Sequence, residues 1–297
     1  MSSSLLSIST APALAVPALD EQAALAKQDA LLRNLRALSS LLIAFSGGAD
    51  SAYLAWAAHR AIGHSALSIT ALSPSFSRHD HDHTERFVRS HALRHEFVET
   101  HEFANPLYVS NNADRCYYCK DELFTQLDSI ARARGFSAIA YGINADDTRD
   151  FRPGHRAARE HRVLAPLLDA GLAKSEIRHL SRIAVLDTWD RPASPCLSSR
   201  IPYGTAVTPE LLERVERAEE AVRVLGFRQF RVRAFGENAR LELSRDELAR
   251  GLAPEMSQVL TASIARAGFA QVTIDPEGYR QGSLNSALKG KSSTESL

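Results

Sequence analysis

LLIAF-SGGADS-AYLAWAAHRAI, residues 41–62, changes character twice within twenty-two positions. LLIAF (41–45) is a short apolar run of the kind a strand buried on both faces requires. SGGADS (46–51) breaks it. AYLAWAAHRAI then resumes at helical period, with Ala and Leu on one side. The order is strand, glycine turn, helix. Two adjacent glycines let the backbone come close to an anion and turn its N–H groups toward it. The helix N-terminus adds partial positive charge, and the Ser46 and Ser51 hydroxyls add donors. Ser46, Gly47, Gly48, Asp50 and Ser51 are therefore candidates to hold phosphate or pyrophosphate. The Lys of GxxxxGK[ST] is missing, and the glycines do not fit GxGxxG, so neither of those loops is present.

Working outward, the same alternation repeats. A polar-faced helix is expected over 20–38, ALSITALS (66–73) reads as the next strand and HTERFVRSHALRHE (83–96) as a helix. HEFVET (95–100) suits a third strand. CKDELFTQLDSIARARG (119–135) is helical and stops at Gly135, SAIAYGIN (137–144) is a buried strand, and KSEIRHLSRIAVL (174–186) is a helix with Ser175 or nearby polar groups available to cap it. Strands alternating with helices predict an α/β fold with a doubly wound parallel sheet. Beyond Pro202 the pattern shifts to a long amphipathic helix (208–227), alternating strands in QFRVRAF and ARLEL, a helix over 254–267 and AQVTIDP, which together predict a second, smaller α+β domain. The expected division is a flexible tail at 1–19, the larger domain at 20–200, the smaller at 201–284 and a disordered tail at 285–297.

The chain has 297 residues, enough for such a core and a further domain. Its 35 basic and 35 acidic side chains balance, which gives no argument for a nucleic-acid or membrane partner. The opening MSSSLLSISTAPALAVPALDEQ lacks a basic front, and Pro12 and Pro17 interrupt its apolar part, unlike a signal peptide. A cytoplasmic protein is expected.

Asp146, Asp147 and Asp150 follow the strand SAIAYGIN directly. The carboxyl end of a parallel strand faces the crevice where such sheets bind ligands, and Mg²⁺ couples one or two carboxylates to phosphate oxygens. Asp146 and Asp147 are thus candidates for Mg–ATP binding, with Arg152 and Gly154 in phosphate reach. The run SRHDHDHTER (77–86) holds His79, His81 and His83. Their spacing of two spreads neighbours over different helix faces, and a charged helix start is the expected reading. Trp56 and Trp189 are expected to pack.

Cys116 and Cys119 lie in DRCYYCK, and Cys196 in RPASPCLSSRIPYGT; no other cysteine is present. The odd, small number argues against a disulfide framework. Three chemistries stay open: structural zinc with a fourth ligand, a redox pair, or an iron–sulfur cluster on three thiolates with one iron open. Arg231 and Arg233 alternate in FRVRAF and so share one strand face, where two guanidiniums can fork onto a phosphate. Ser199 and Arg200, next to Cys196, are placed with them.

SGGADS resembles the signature of the PP-loop ATP pyrophosphatases, whose fold is adenine nucleotide alpha hydrolase-like; this likeness covers the first two-thirds of the chain. It implies ATP held for attack on its α-phosphate, the base resting on backbone near the second strand, here Ala71 and Ser73, with Gly142 also at the nucleotide. DRCYYCK, GINADDTRDFRPG (142–154), SPCLSSRIPYGT (194–205) and IDPEGYRQGSLN (274–285) sharpen this. Together they resemble the LarE family, the ATP-dependent sulfur transferases of nickel-pincer cofactor synthesis.

The resemblance implies adenylation of a carboxylate of pyridinium-3,5-biscarboxylic acid mononucleotide and its conversion to a thiocarboxylate, twice over. It implies ATP and Mg²⁺, Arg231, Arg233, Ser199 and Arg200 at the substrate phosphate, and a homo-oligomer such as a hexamer. Members differ in sulfur source. In one branch a single Cys, here Cys196, gives up its own sulfur; in another three cysteines, here Cys116, Cys119 and Cys196, hold a [4Fe–4S] cluster. The full trio favours the cluster, while Cys196 alone would satisfy the other. A PP-loop tRNA thiolase, an amide-forming ligase, a nucleotide-binding module without catalysis and a zinc-stabilised scaffold are the competing readings.

Overall fold

A computed structural model describes residues 19–149 and 153–280. The expected tails at 1–19 and 285–297 lie outside these residues, apart from Leu19, as do Asp150, Arg152 and the end of IDPEGYRQGSLN beyond Arg280.

The chain runs α1 (Glu21–Arg36), β1 (Leu41–Ala44), α2 (Ala49–Ile62), β2 (Ala66–Leu72), α3 (Arg78–Ser90), β3 (His95–Glu99), α4 (Pro106–Val109), α5 (Arg115–Arg134), β4 (Ala138–Tyr141), α6 (Pro153–Glu160), α7 (Pro166–Asp169) and α8 (Lys174–Ile183). Among the described residues these strands form one parallel sheet in the order β3-β2-β1-β4. The apolar run at its centre is explained by the pleat. Leu41 and Ile43 face a core built with α1, α2 and α8, while Leu42 and Ala44 face another built with α5 and α6. A strand buried on both faces has no polar side, and LLIA has none.

The chain leaves β1 in one direction to β2 and β3, then returns across to β4 on the other side. That reversal makes the carboxyl ends of β1 and β4 the switch point at which such sheets open a crevice.

The second unit comprises α9 (Pro209–Val224), β5 (Phe230–Phe235), β6 (Asn238–Leu243), α10 (Arg245–Leu252), α11 (Pro254–Arg266) and β7 (Gln271–Ile274). β5 and β6 pair antiparallel and β7 joins β6 in parallel, with α9 and α11 packed on the sheet. Leu197, Ile201 and Val207 are buried in this second core.

Three local readings need correction. α5 begins at Arg115, ahead of Cys119, so both Cys116 and Cys119 stand on its first turns; Asp114 gives it no side-chain cap and hence no sequence signal. α10 was not expected, although Ser244 Oγ bonds the Glu247 carboxylate at 3.1 Å in a Ser-x-x-Glu start. α3 runs from Arg78 to Ser90, earlier than the expected 83–96, because Ser77 caps it by accepting from the Asp80 N–H at 3.1 Å; α8 is capped by a polar group near its start, Glu176, which accepts from the Ala173 N–H at 2.7 Å. No helix among the described residues is long and apolar enough to cross a membrane.

Candidate active site

The glycine turn sits where β1 ends and α2 begins. Gly47 takes φ +71°, the left-handed region that a side chain resists, and a Cβ there would meet Thr84 Oγ1 at 2.8 Å. Ser51 closes the turn, donating from Oγ to the Gly48 carbonyl at 3.0 Å and accepting from the Ser46 N–H at 3.2 Å. Gly142, just past β4, lies so close to α2 that a Cβ would stand 2.7 Å from the Ser51 nitrogen. Glycine at 142 thus lets the ends of β1 and β4 and the start of α2 converge.

Asn144 organises the acidic turn and was not anticipated. Fully buried, it donates from Nδ2 to Asp50 at 3.1 Å, and its Oδ1 accepts from the N–H groups of Asp146 (2.9 Å) and Asp147 (3.2 Å). Asp146 is exposed and its carboxylate accepts from the Lys174 N–H at 2.8 Å, at the start of α8. Asp147 is buried and accepts from the Asn144 N–H at 3.3 Å. Asp50 keeps one buried carboxylate oxygen, Oδ1, without a hydrogen-bond partner. Burial raises its pKa against the pull of Lys174 and the Asn144 bond, and the nearby Asp147 raises it further. An orphaned carboxylate oxygen beside an anion-binding turn is a fitting ligand for a hard cation such as Mg²⁺. At Gly154, on α6, a Cβ would meet Lys120 Cγ at 3.0 Å and the Cys116 carbonyl of α5 at 3.4 Å.

Ser46, Ala71, Ser73, Cys119 and Cys196 line a single cleft of about 130 Å³, which also receives Glu102 and Lys120. Two of the sequence's widely separated motifs therefore meet the glycine turn. Cys116 and Cys119, three apart on a helix, share a face. Cys116 and Cys196 are exposed and Cys119 half-buried. Burial pushes the Cys119 thiol up, and the charges of Glu102, Cys196 and Cys116 add to the effect, with Lys120 opposing them. Cys119 thus lies within electrostatic reach of both other sulfurs. Among the described residues no group of three or more His, Cys, Asp or Glu side chains is placed to hold a metal ion. Cys119 and Cys196 line the cleft, and Cys116 stands one helical turn from Cys119 on α5; in kind, three thiols are the donor set that iron–sulfur ligation uses.

Arg115, also unforeseen, is buried under this cleft and donates to Asn111 Oδ1 at 2.5 Å and the Ser198 carbonyl at 2.8 Å. The charges of Cys196 and Cys116 raise its pKa against desolvation. Tyr108 hydroxyl meets Ser198 Oγ at 2.8 Å.

A second cavity of about 390 Å³, sharing Ser194 with the first, is lined by Arg191, Arg200, Arg228 and Arg231. Arg231 and Arg233 do lie on one strand, both buried. Arg231 donates to the Ala193 carbonyl and to the Phe230 carbonyl (2.5 Å). Arg233 pairs with the buried Glu242 at 3.0 Å and donates to the Ser199 carbonyl at 2.8 Å. Arg200 forks onto Glu219 at 2.9 and 2.8 Å and reaches the Pro195 and Cys196 carbonyls and Ser199 Oγ. These guanidiniums, whatever else they bind, hold the backbone around Cys196. His79 and His83, four apart on α3, both line this cavity, His79 near Asp80 and His83 near Asp187, while His81 lies apart and stacks on Phe97. Tyr117 and Tyr118 meet edge to face, and Tyr117 donates to Glu160 at 2.6 Å.

No family model matches the chain. It is 41% identical over 261 residues to an uncharacterized protein of Synechocystis, covering 86% of this chain and 97% of that one. It is 25% identical over 240 residues to an uncharacterized protein of Methanocaldococcus jannaschii, 81% and 90% of the two chains. With the pyridinium-3,5-bisthiocarboxylic acid mononucleotide synthase of Lactiplantibacillus plantarum it shares 30% identity over 269 residues, 88% of this chain and 95% of the relative. With that identity held across nearly the full length of both proteins, the chain belongs to the family of that synthase, the LarE family.

Proposed function

We propose that this protein is an ATP-dependent sulfur transferase that converts the carboxylates of pyridinium-3,5-biscarboxylic acid mononucleotide to thiocarboxylates. The observation that carries the reading is the shared cleft: the glycine turn at Ser46, the backbone at Ala71 and Ser73, and Cys119 and Cys196 all line it. In this reading the turn is a PP-loop. Its N–H groups and the start of α2 receive the pyrophosphate of ATP, with Ser46, Gly47, Gly48 and Ser51 in contact and the base against Ala71–Ser73. Asp50, braced by Asn144, would hold Mg²⁺ together with Asp146 and Asp147 of the adjoining turn, where the ion would offset charge on the phosphates.

A carboxylate oxygen of the substrate attacks the α-phosphorus, and the bond to pyrophosphate breaks. The mixed anhydride then offers AMP as a leaving group, so a sulfur nucleophile displaces it at the carbonyl carbon. Donors fixed in advance around the departing pyrophosphate stabilise its charge without reorganisation. Cys116, Cys119 and Cys196 would hold a [4Fe–4S] cluster, which supplies a soft site able to present sulfide. Arg115 beneath them offsets thiolate charge. Arg231, with Arg233, Ser199 and Arg200 behind it, forms the wall on which the substrate phosphate rests.

The test is direct. Protein purified without oxygen is given ATP, Mg²⁺ and the biscarboxylic mononucleotide, and pyrophosphate and product mass are followed. Pyrophosphate release that depends on the mononucleotide, with oxygen replaced by sulfur in the product, is the expected result. Pyrophosphate release without sulfur incorporation would leave an adenylating ligase instead. Iron and acid-labile sulfide, lost in Cys116→Ala, are expected; thiolation by an iron-free protein whose Cys196 becomes dehydroalanine would replace the cluster by the sacrificial route.

A further inference from the structure

The segment from Trp189 to Leu197 carries Cys196 and has almost no regular structure, with Pro192 and Pro195 lacking N–H groups. It is held from outside. Arg178 donates to the Trp189 and Arg191 carbonyls, each at 2.7 Å, and the Leu197 N–H donates to the Ser75 carbonyl at 2.9 Å. Ser194 Oγ donates to the Asp80 carboxylate at 3.0 and 3.2 Å.

Arg191, whose side chain is 10% exposed, does something different from the other ties. Its Nη1 donates to the Gly47 carbonyl at 2.5 Å and its Nη2 to Asp80 Oδ1 at 2.5 Å. A trans peptide points its carbonyl and the following N–H in opposite directions. Fixing the Gly47 carbonyl toward Arg191 therefore turns the Gly48 N–H to the other side of the loop. That is the orientation an anion-binding turn needs, and Gly47, at φ +71°, is free to adopt the alternatives without this tie. Asp80 in turn is held by Ser77 at 2.7 Å and neutralises the guanidinium, which leaves Arg191 satisfied and in place.

We infer that Arg191, locked by Asp80, is a positioning residue that sets the Gly47–Gly48 peptide and cross-braces it to the Cys196 segment, so that filling the glycine turn and ordering Cys196 are coupled. The inference rests on the turn being an anion site. Coupling between two sites is reciprocal: an anion that prefers the oriented peptide also favours the ordered segment. The functional consequence is that the sulfur-bearing loop is set when the nucleotide is.

Hydrogen exchange tests this, with magnesium pyrophosphate as the probe and calorimetry in parallel. In the unaltered protein, saturating pyrophosphate is expected to slow exchange across residues 193–201 by about fivefold or more. Arg191→Lys can reach one acceptor only, with a point charge in place of a fork. It should bind pyrophosphate about tenfold more weakly. At saturation, exchange across 193–201 should no longer respond. Asp80→Asn, which keeps the shape and removes the charge, should shift both in the same direction by less. A thermal midpoint and far-UV circular dichroism near those of the unaltered protein separate this from misfolding. Slowing that persists unchanged in both variants, or pyrophosphate that binds the unaltered protein with no effect on 193–201, overturns the inference and leaves the anion site intact. Absence of pyrophosphate binding to the unaltered protein overturns both.

Discussion

Arg200 illustrates how a single residue supports the site through burial and charge. It and Glu219 are both nearly inaccessible, with side-chain exposures of 4% and 6%. Burial alone would raise the Glu219 carboxyl; the Arg200 charge and its bonds, helped by Arg231 and the Val232 N–H, outweigh it and hold the pKa below its ordinary value. Replacing Arg200 with Met should leave that carboxylate uncompensated and cost about 3–5 kcal/mol in urea unfolding, much of it recovered by the double Arg200→Met, Glu219→Met variant. Histidines give the pH dependence. Burial depresses His83 and His95 to about 4. Thr70 donates its one proton to the Phe45 carbonyl (2.9 Å), so it must accept from His95 Nε2 (2.8 Å), which fixes the neutral tautomer. A group with a lower pKa when folded contributes stability above its unfolded value, near 6.5, and loses it as pH falls toward 4. Thermal midpoints measured from pH 7 to pH 4 should therefore drop, with each histidine contributing on the order of 2 kcal/mol, and His95→Gln should flatten the curve.

At the scale of the element, the glycines of the site are not equivalent, and their backbone surroundings say why. A Cβ at Gly142 would press on the Ser51 nitrogen and Cα, at 2.7 and 2.8 Å, which is backbone and cannot swing aside. Gly142→Ala must push α2 away from β4, and pyrophosphate affinity by calorimetry should fall about tenfold or more for a displacement near 1 Å. At Gly48, with φ −78° and nothing nearer than Ser46 Oγ at 3.6 Å, Ala should leave the thermal midpoint nearly unchanged. The sequence made the strand–turn–helix legible because hydrophobic period and glycines act locally. The same holds for β3, where HEFVET is short and carries Phe97 and Val98, residues that favour strands. It hid the start of α5, because Asp114 provides no cap, and so it placed Cys116 off the helix. The Ser244–Glu247 start of α10 was present in the residues and went unread.

Across the whole molecule, what the sequence could not show is docking over long separations. Arg191 reaches Gly47 and Asp80, Arg115 reaches Ser198, and Asn144 reaches Asp50; no spacing rule connects residues so far apart in the chain. Cys119 and Cys196 likewise meet at one cleft only in the packed chain; in the sequence they were joined by the family resemblance and not by spacing. The segment between Arg191 and Val207 also joins the two units. Arg191 and Ser194 bind the first, while Leu197, Ile201 and Val207 are buried in the second core and Arg200 pairs with α9. Neither core can be exposed without loosening the segment that the other needs. Unfolding is therefore expected to be one cooperative event. Both tryptophans belong to the first unit or its border, Trp56 packed against its core and Trp189 partly exposed, so their fluorescence reports on that unit, whereas far-UV circular dichroism reports on all helices. The two signals should share one urea midpoint. Leu197→Ala, which removes buried contacts in the second core alone, should cost about 2–5 kcal/mol and move the tryptophan midpoint together with the dichroism midpoint. A tryptophan transition that stays in place while the dichroism splits would mean that the Cys196 segment is anchored by the first unit alone, and that the second core is dispensable for holding it.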